Sequence, residues 1–390
     1  MDLYTLTDTF LPKDPIDDFV SAIWTERYSV AGDTQLVVPA TSEMVEKLKE
    51  GTFLALRGTK EVMTLETQSI EKGLMTVVGE TLPGFLNERY AWFQKPVTLV
   101  DAPKIIDYTD ETRKPGEFIA HVIDKMVINP VPMVSGYATA NLDWALEKIP
   151  NLSLGPIDTS GEIKRLTIPI GPLYDGISKI ATDEGLGISL YLELAHPDTG
   201  YSLKFTTYRG KDRTSDQSVN PLVRLVPEMD SISDIKEIRS ISTYKNVAYV
   251  YYKGVITNHY AEPSMPIPEG FARRVLIVDA EGEPVGRKVT TQQYQQLGGG
   301  TYVYYVIGPD ELNAFLDQHA KDALANHNYI RAIDGQTSPQ NDYKYGVDYG
   351  LGDVIELEGL TGLISKARVT EYIRSQDKNG EREYPTIAAI

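Results

Sequence analysis

Residues 19 to 39, FVSAIWTERYSVAGDTQLVVP, carry two largely apolar, strand-like runs set around a turn at Ala31-Gly32-Asp33. Their enrichment in β-branched and aromatic residues predicts two strands joined as a hairpin. The spacing then changes. Ser42-Glu43-Met44-Val45-Glu46-Lys47-Leu48 opens on a hydroxyl residue and spaces its apolar positions as a helix does, so a short helix is predicted before Gly51. Strands return with Phe53-Leu54-Ala55-Leu56, Val62-Met63-Thr64-Leu65 and Leu74-Met75-Thr76-Val77-Val78. The turn sequences Gly58-Thr59-Lys60 and Glu71-Lys72-Gly73 between them predict an antiparallel meander.

From Pro96 to Lys104 the pattern changes, which places a boundary near residue 101. Glu117 to Val127 reads as helix, and the prolines of Asn129-Pro130-Val131-Pro132 cannot continue it. Helical spacing recurs from Pro172 to Asp183. The segments at 187–192 and 201–205 then read as a strand pair around His196-Pro197-Asp198, completing a small α/β unit. Val247 to Tyr252, Arg274 to Val278 and Tyr302 to Ile307 are strand-like, Pro309 to Asn326 is a helix candidate, and strands resume from Asp353. The chain is therefore expected to be α+β and predominantly β, in three parts: 1–100, 101–235 and 236–390, the last with a helical insertion. Gly51-Thr-Phe-Leu-Ala-Leu-Arg-Gly58 is echoed by Gly352-Asp-Val-Ile-Glu-Leu-Glu-Gly359 at identical spacing, which raises the expectation of a duplicated β-domain.

Composition narrows the chemistry. A chain of 390 residues is long enough for two or three domains, and no apolar run approaches the length of a membrane span. The first residues carry acids and no apolar core of a secretory signal, so export by that route is not expected. With no cysteine, disulfides, thiolate metal sites and cysteine nucleophiles are excluded. The net charge of −17 argues against binding nucleic acid through its phosphates. An acidic wall that DNA slides past is compatible with it.

The five histidines, His121, His196, His259, His319 and His327, form no HExxH, and none of the phosphate-binding or nucleophile-elbow motifs occurs. Gly298-Gly299-Gly300 follows Gln295-Gln296-Leu297 and reads as a loop. Asp377-Lys378-Asn379-Gly380 lacks the later ligands of a calcium loop and reads as a hairpin turn. The tyrosine-rich stretches 249–252 and 302–305 suit sheet packing or subunit contacts better than a sugar platform. Carboxylates are too numerous for the sequence to single out a catalytic pair. No catalytic residue, cofactor or metal is assigned.

Motifs carry the reading further. Trp24-Thr-Glu-Arg27-Tyr28, Gly32-Asp33, Val37-Val38-Pro39 and Gly79-Glu-Thr-Leu82 leading to Arg89 resemble the opening of the ReqiPepy-type siphovirus minor tail protein family. Tyr208-Arg-Gly210-Lys-Asp212-Arg213-Thr214, Tyr244-Lys245-Asn246-Val247-Ala248, Arg273-Arg274 with Val278-Asp279-Ala280, and Tyr345-Gly-Val-Asp348-Tyr349-Gly-Leu351-Gly352-Asp353 are similar to its later motifs, in the same order. The chain departs from the family at Thr34, where an aromatic residue is common, and at Val275, where an acid is common.

The resemblance implies a non-enzymatic subunit of the phage tail tip, a baseplate-hub-like protein assembled in the host cytoplasm and carried on the virion. It implies two tube-like antiparallel β-barrel domains, 1–100 and 236–390, lining a channel, with 101–235 as an outer α/β buttress. Three copies would present six such domains, matching a hexameric tube ring above and a threefold tip below. The implied partners are the distal tail or tube protein, the tape measure protein and other tip proteins, with DNA passing unbound. A receptor-binding or cell-wall-degrading tip protein is the alternative, though the hub-like motifs run so near Ile390 that little room for a catalytic domain is expected. Structural or assembly roles fall to Trp24 as a core anchor and to Gly32 as a flexible turn residue. Arg27 and Arg213 are expected to pair with carboxylates, alongside Asp212, and Tyr349, Gly352 and Asp353 to set the start of a strand.

Overall fold

The computed structural model describes residues 1–91, 93–94, 105–106, 108–130, 144–196, 200–227, 232–260, 266–280, 287–289, 304–327, 330–337 and 343–390. The boundary expected near residue 101, the Gly298-Gly299-Gly300 loop and parts of the turns at Val131-Pro132 and Pro197-Asp198 lie outside them. Contacts group the chain into two units, 1–235 with 335–390, and 236–334.

The first unit is built on an 11-stranded sheet. Its N-terminal strands are β1 (Leu3–Leu6), β2 (Pro12–Ile16), β3 (Ser21–Arg27), β4 (Asp33–Pro39), β5 (Phe53–Leu56), β6 (Val62–Glu71) and β7 (Leu74–Thr81). β3 and β4 form the expected hairpin, and β5, β6 and β7 form the expected meander. Between them, helix α1 (Ser42–Lys47) starts where the Thr41 hydroxyl accepts the Met44 N–H, a side-chain cap for an otherwise unpaired donor. Trp24, Leu36, Val38, Leu54, Met63, Met75 and Val77 project to one face and form a closed core with it. Helix α2 (Leu82–Phe85) follows β7 directly.

An α/β layer covers part of the other face. Helix α3 (Pro115–Ile123) begins with proline at its first turn, where no N–H is needed, and runs into a wider turn at Asp124–Ile128 before Asn129-Pro130. Strands β8 (Leu152–Ile157), β9 (Gly187–His196) and β10 (Gly200–Tyr208) form a three-stranded sheet, with helix α4 (Leu173–Asp183) before β9. Phe118, Val122, Ile177, Leu190 and Phe205 pack there with Phe10, Ala55 and Val62, so this layer and the N-terminal strands share one core.

Strand β11 (Arg224–Leu225) lies at one end of the large sheet. In the second unit, β12 (Val247–Tyr252) pairs antiparallel with β13 (Val255–Tyr260) and parallel with β14 (Val275–Asp279). Helix α5 (Pro309–Ala325) lays Leu316, Ala320 and Leu324 on Ala248, Val250 and Tyr252. Back in the first unit come β15 (Val354–Glu358), β16 (Ile364–Asp377) and β17 (Gly380–Ala389), joined as a second antiparallel meander.

The strand order is β11-β15-β16-β3-β4-β7-β6-β5-β1-β2, with β17 on the free side of β16. The expectation of two closed barrels is corrected here. Among the described residues the two β regions make one open sheet, because β16 extends past β15 and offers its remaining backbone groups to β3, from Glu371↔Arg27 to Gln376↔Ala22. The chain is mostly β, with several sheets and a few helices.

Candidate functional site: the junction of the two β regions

Four polar clusters and one bare surface surround the β3–β16 seam. The first is the ion pair of Arg213 and Asp353. Arg213 Nε donates to Asp353 Oδ2 at 2.6 Å, and both side chains are more than nine-tenths buried. Asp353 also accepts from the backbone N–H groups of Lys211 at 2.7 Å and Gly350 at 3.1 Å. A buried carboxylate is tolerated when its lone pairs are filled in this way. Next to it, Asp212 caps the Thr214 N–H at 2.9 Å, and that bond holds its carboxyl below the usual range. Glu356, buried in β15, is pushed upward by burial but lowered overall by bonds from Ser215 and Arg224.

Tyr28 forms the second cluster. Its hydroxyl, with one proton to give, lies 3.0 Å from the Gly185 carbonyl and 3.2 Å from the Tyr208 carbonyl, and accepts from the Gly210 N–H at 3.1 Å. A Cβ at Gly187 or at Gly352 would strike its ring, and a Cβ at Gly210 would strike the Gly352 backbone. Three segments meet here so closely that only glycine fits. Gly352 additionally has φ of +84°. Tyr349 is buried beside it and meets Tyr345 edge-on, with centroids 5.9 Å apart.

Arg27 forms the third. Its guanidinium reaches Glu371 on β16 at 2.6 Å, Asp33 on β4 at 2.5 Å and the Ala31 carbonyl at 3.0 Å. The hairpin turn is thereby tied to the C-terminal region. Gly32 differs from its expected role: it does not adopt a left-handed conformation, and it is glycine because a Cβ would meet the Thr25 carbonyl of β3. Its N–H donates to Thr81 Oγ1 at 2.9 Å.

The fourth cluster lines a cavity of about 490 Å³ bounded by Glu26, Glu61, Tyr191, Tyr208, Tyr345 and Arg374. Glu26 meets Arg374 at 2.6 Å through one oxygen and the Tyr345 hydroxyl at 3.2 Å through the other. Burial first, and the Glu26 charge second, raise Glu61 to about 8, and Ser189 Oγ lies 3.3 Å from it. A neutral acid beside a carboxylate is an arrangement acid–base catalysis can use. Here Glu26 links β3 to Arg374 of β16, and Glu61 reaches Ser189 of the α/β layer.

The bare surface is the face of the large sheet opposite Trp24. In register across β6, β7, β4, β3 and β16 it presents Thr67, Ser69, Thr76, Val78, Gln35, Val37, Ser21, Ile23, Ile373 and Ser375. Ile23 and Val78 are 37% and 41% exposed. Acidic residues such as Asp33, Glu80 and Glu71 stand at the margins of this patch. The middle is uncharged although the chain carries −17.

All eight nominated residues therefore belong to the first unit, and Arg213, Gly352, Asp353 and Tyr349 come together. Trp24 is fully buried in the core beneath the bare face. Sequence reasoning missed Tyr28, Gly210, Glu26, Glu61 and Arg374 as junction residues. Tyr28, Glu26 and Gly210 stood inside quoted motifs, whereas nothing local marked Glu61 and Arg374. In the second unit, Tyr252 is buried edge-on to Phe315 at 5.2 Å and Tyr249 accepts a bond from Arg273 at 2.9 Å, so both tyrosines serve local packing. Among the described residues no group of three or more His, Asp or Glu side chains lies where it could hold a metal ion, and no helix is long and apolar enough to cross a membrane.

The family described as "Siphovirus ReqiPepy6 Gp37-like protein" matches residues 8–387. No curated protein matches the chain. Among solved structures, the 43 kDa tail protein of prophage MuSo2 from Shewanella oneidensis aligns with a TM-score of 0.51 at 10% identity, over 99% of this chain and 97% of that one. A tail protein from Neisseria meningitidis gives 0.49 at 12% identity over 100% and 95%. Prophage tail protein gp18 from Listeria monocytogenes gives 0.48 at 12% over 99% and 94%. The first of these is similar in fold across the whole chain.

Proposed function

Because the chain belongs to the family described as "Siphovirus ReqiPepy6 Gp37-like protein", we propose that it is a non-enzymatic structural subunit of a phage tail tip, a hub forming a ring that continues the tail tube. The observation that carries this reading is the paired meanders. β5-β6-β7 and β15-β16-β17 each bring a hairpin to the same sheet, so one chain presents two equivalent wall elements. Three copies then present six, and a trimer matches a sixfold tube while offering threefold symmetry to the tip. Residues 1–100 and the β-rich part of 236–390 form the wall, closing around the channel only between subunits, and 101–235 buttresses it outside. The bare uncharged face lines the channel. Such a lining neither attracts phosphates nor holds a counterion layer, so DNA passes unbound.

Trp24, Arg27, Gly32, Asp212, Arg213, Tyr349, Gly352 and Asp353 act in this reading as the framework that keeps the two wall elements in register. The ring sits at the virion tail tip, between the tube or distal tail protein, the tape measure protein and other tip proteins. Electron microscopy of the purified protein at micromolar concentration tests it. Threefold rings with six inner lobes around a hole are expected; monomers alone, or a closed ring of another symmetry, overturn it.

A further inference from the structure

The two meanders agree down to single hydrogen bonds. Gly51 and Gly352 both have left-handed backbones, with φ of +82° and +84°. The Gly51 N–H donates to the Leu65 carbonyl at 2.7 Å, and the Leu65 N–H returns to Thr52 at 2.9 Å. The Gly352 N–H donates to Val369 at 2.7 Å, and the Val369 N–H returns to Asp353 at 2.9 Å. One step later each long strand bulges at the same place, between Leu65 and Thr67 in β6 and between Val369 and Glu371 in β16. Thr67 thus corresponds to Glu371, Gln68 to Tyr372, Ser69 to Ile373 and Ile70 to Arg374.

Beyond the bulge the two differ in one respect. The flank of β16 from Glu371 to Gln376 is filled by β3. The matching flank of β6, Thr67 to Glu71, pairs only with β7 among the described residues. Its polar groups are aimed outward. The Ala40 N–H donates to the Gly73 carbonyl, which makes Val38↔Met75 and Leu36↔Val77 the hydrogen-bonded pairs of β4 and β7. Met75 and Val77 therefore turn away from β6, and their partners Ile70 and Gln68 turn their own N–H and C=O groups to the open flank. In β16 the same parity holds, since the Tyr28 N–H donates to Thr370 and the strand β3 continues that ladder through Glu26↔Tyr372.

At its near end the Gln68 side chain donates to the Val45 and Leu48 carbonyls beside α1, and the flank lacks the residues that usually blunt an edge. On β17, the strand on the other side of β16, Pro385 pairs with Tyr372, whose polar groups face β3, so the missing N–H of Pro385 lies on the outer side of that strand. No proline or lysine stands between Thr67 and Glu71. Ile70 beside it is 57% exposed.

We infer that the β6 flank from Thr67 to Glu71 is a strand-pairing edge filled by a second copy of this chain, an inference that rests on the ring proposed above. Within one chain the C-terminal meander receives its flanking strand from the N-terminal region. Continuing that alternation around a ring, the N-terminal meander receives a strand from the C-terminal part of the neighbouring copy, a head-to-tail contact that closes.

Ile70→Pro tests it, because this substitution removes an outward N–H while the bonds from β6 to β7 do not use residue 70. The full-length protein and this variant are compared by sedimentation across a concentration series, and amide hydrogen exchange of the wild-type segment 66–73 is followed over the same series. The expected result is a folded variant whose association is weakened at least about 100-fold, with added protection of the wild-type segment on assembly. Assembly of the wild type with unchanged exchange in 66–73 overturns the edge and leaves the ring standing, whether or not the variant folds, as does equal assembly of a folded variant. A wild type that never associates overturns both.

Discussion

Asp353 receives the Arg213 guanidinium at 2.6 Å with both side chains buried, where the segment leaving the α/β layer meets the start of the C-terminal meander. Truncating one member leaves the other charged and out of water. Asp353→Ala is therefore expected to lower stability by about 3–5 kcal/mol. Replacing both members with apolar residues, as Arg213→Met with Asp353→Leu, recovers most of that loss. Urea midpoints of the two variants check this, and a single variant as stable as the wild type would show that the pair does not hold the junction.

Gly51 and Gly352 share a backbone conformation and differ in surroundings. A Cβ at Gly51 meets nothing within 4 Å, whereas at Gly352 it enters the Tyr28 ring. Gly51→Ala carries only the conformational penalty, about 1 kcal/mol, and Gly352→Ala adds overpacking of about 1–3 kcal/mol. The difference between their denaturation midpoints measures the close approach directly. Equal losses would mean that Tyr28 moves aside freely.

Glu61 is held up at about 8 by burial, against an ordinary carboxyl value of 4.5. Between those values the unfolded chain releases this proton and the folded chain keeps it, so stability from this group is complete below about pH 4.5 and is lost as pH rises through about 8. Glu80, raised to about 7 by burial and by Glu66, slopes the same way over a narrower window. Glu61→Gln removes the first contribution alone. The variant is expected to show a flatter decline of its denaturant midpoint from pH 5 to pH 8 than the wild type, and parallel curves would contradict the assignment.

Leu316 is the fully buried centre of the contact between α5 and β12 in the second unit. Leu316→Ala is expected to cost about 2–5 kcal/mol and to open that unit locally. Hydrogen exchange should rise in residues 247–279 and 309–325, with little change in the 1–81 strands. A uniform rise across the chain would instead mean that the two units unfold as one.

The hairpin at β3 and β4, the meander from Phe53 to Thr81, and helices α1, α4 and α5 were legible because their periodicity and end signals are local. The Gly51 and Gly352 echo was legible too, as both positions need a left-handed residue before a strand. Family motifs pointed to Arg27, Arg213 and Asp353 but not to which side chains pair. Glu371 is paired with Arg27 across most of the chain, and no spacing rule covers such a distance.

By itself, then, the sequence determined the elements, the duplicated glycine signal, the absence of cysteine chemistry and the family. Tertiary structure alone decided that the two β regions share one open sheet, that Tyr28 sits between Gly187 and Gly352, and that the bare face is uncharged. The physical reason is that hydrogen-bonding edges accept any strand of suitable register, so the choice of neighbour is fixed by side chains packing far apart in sequence rather than by the strands themselves.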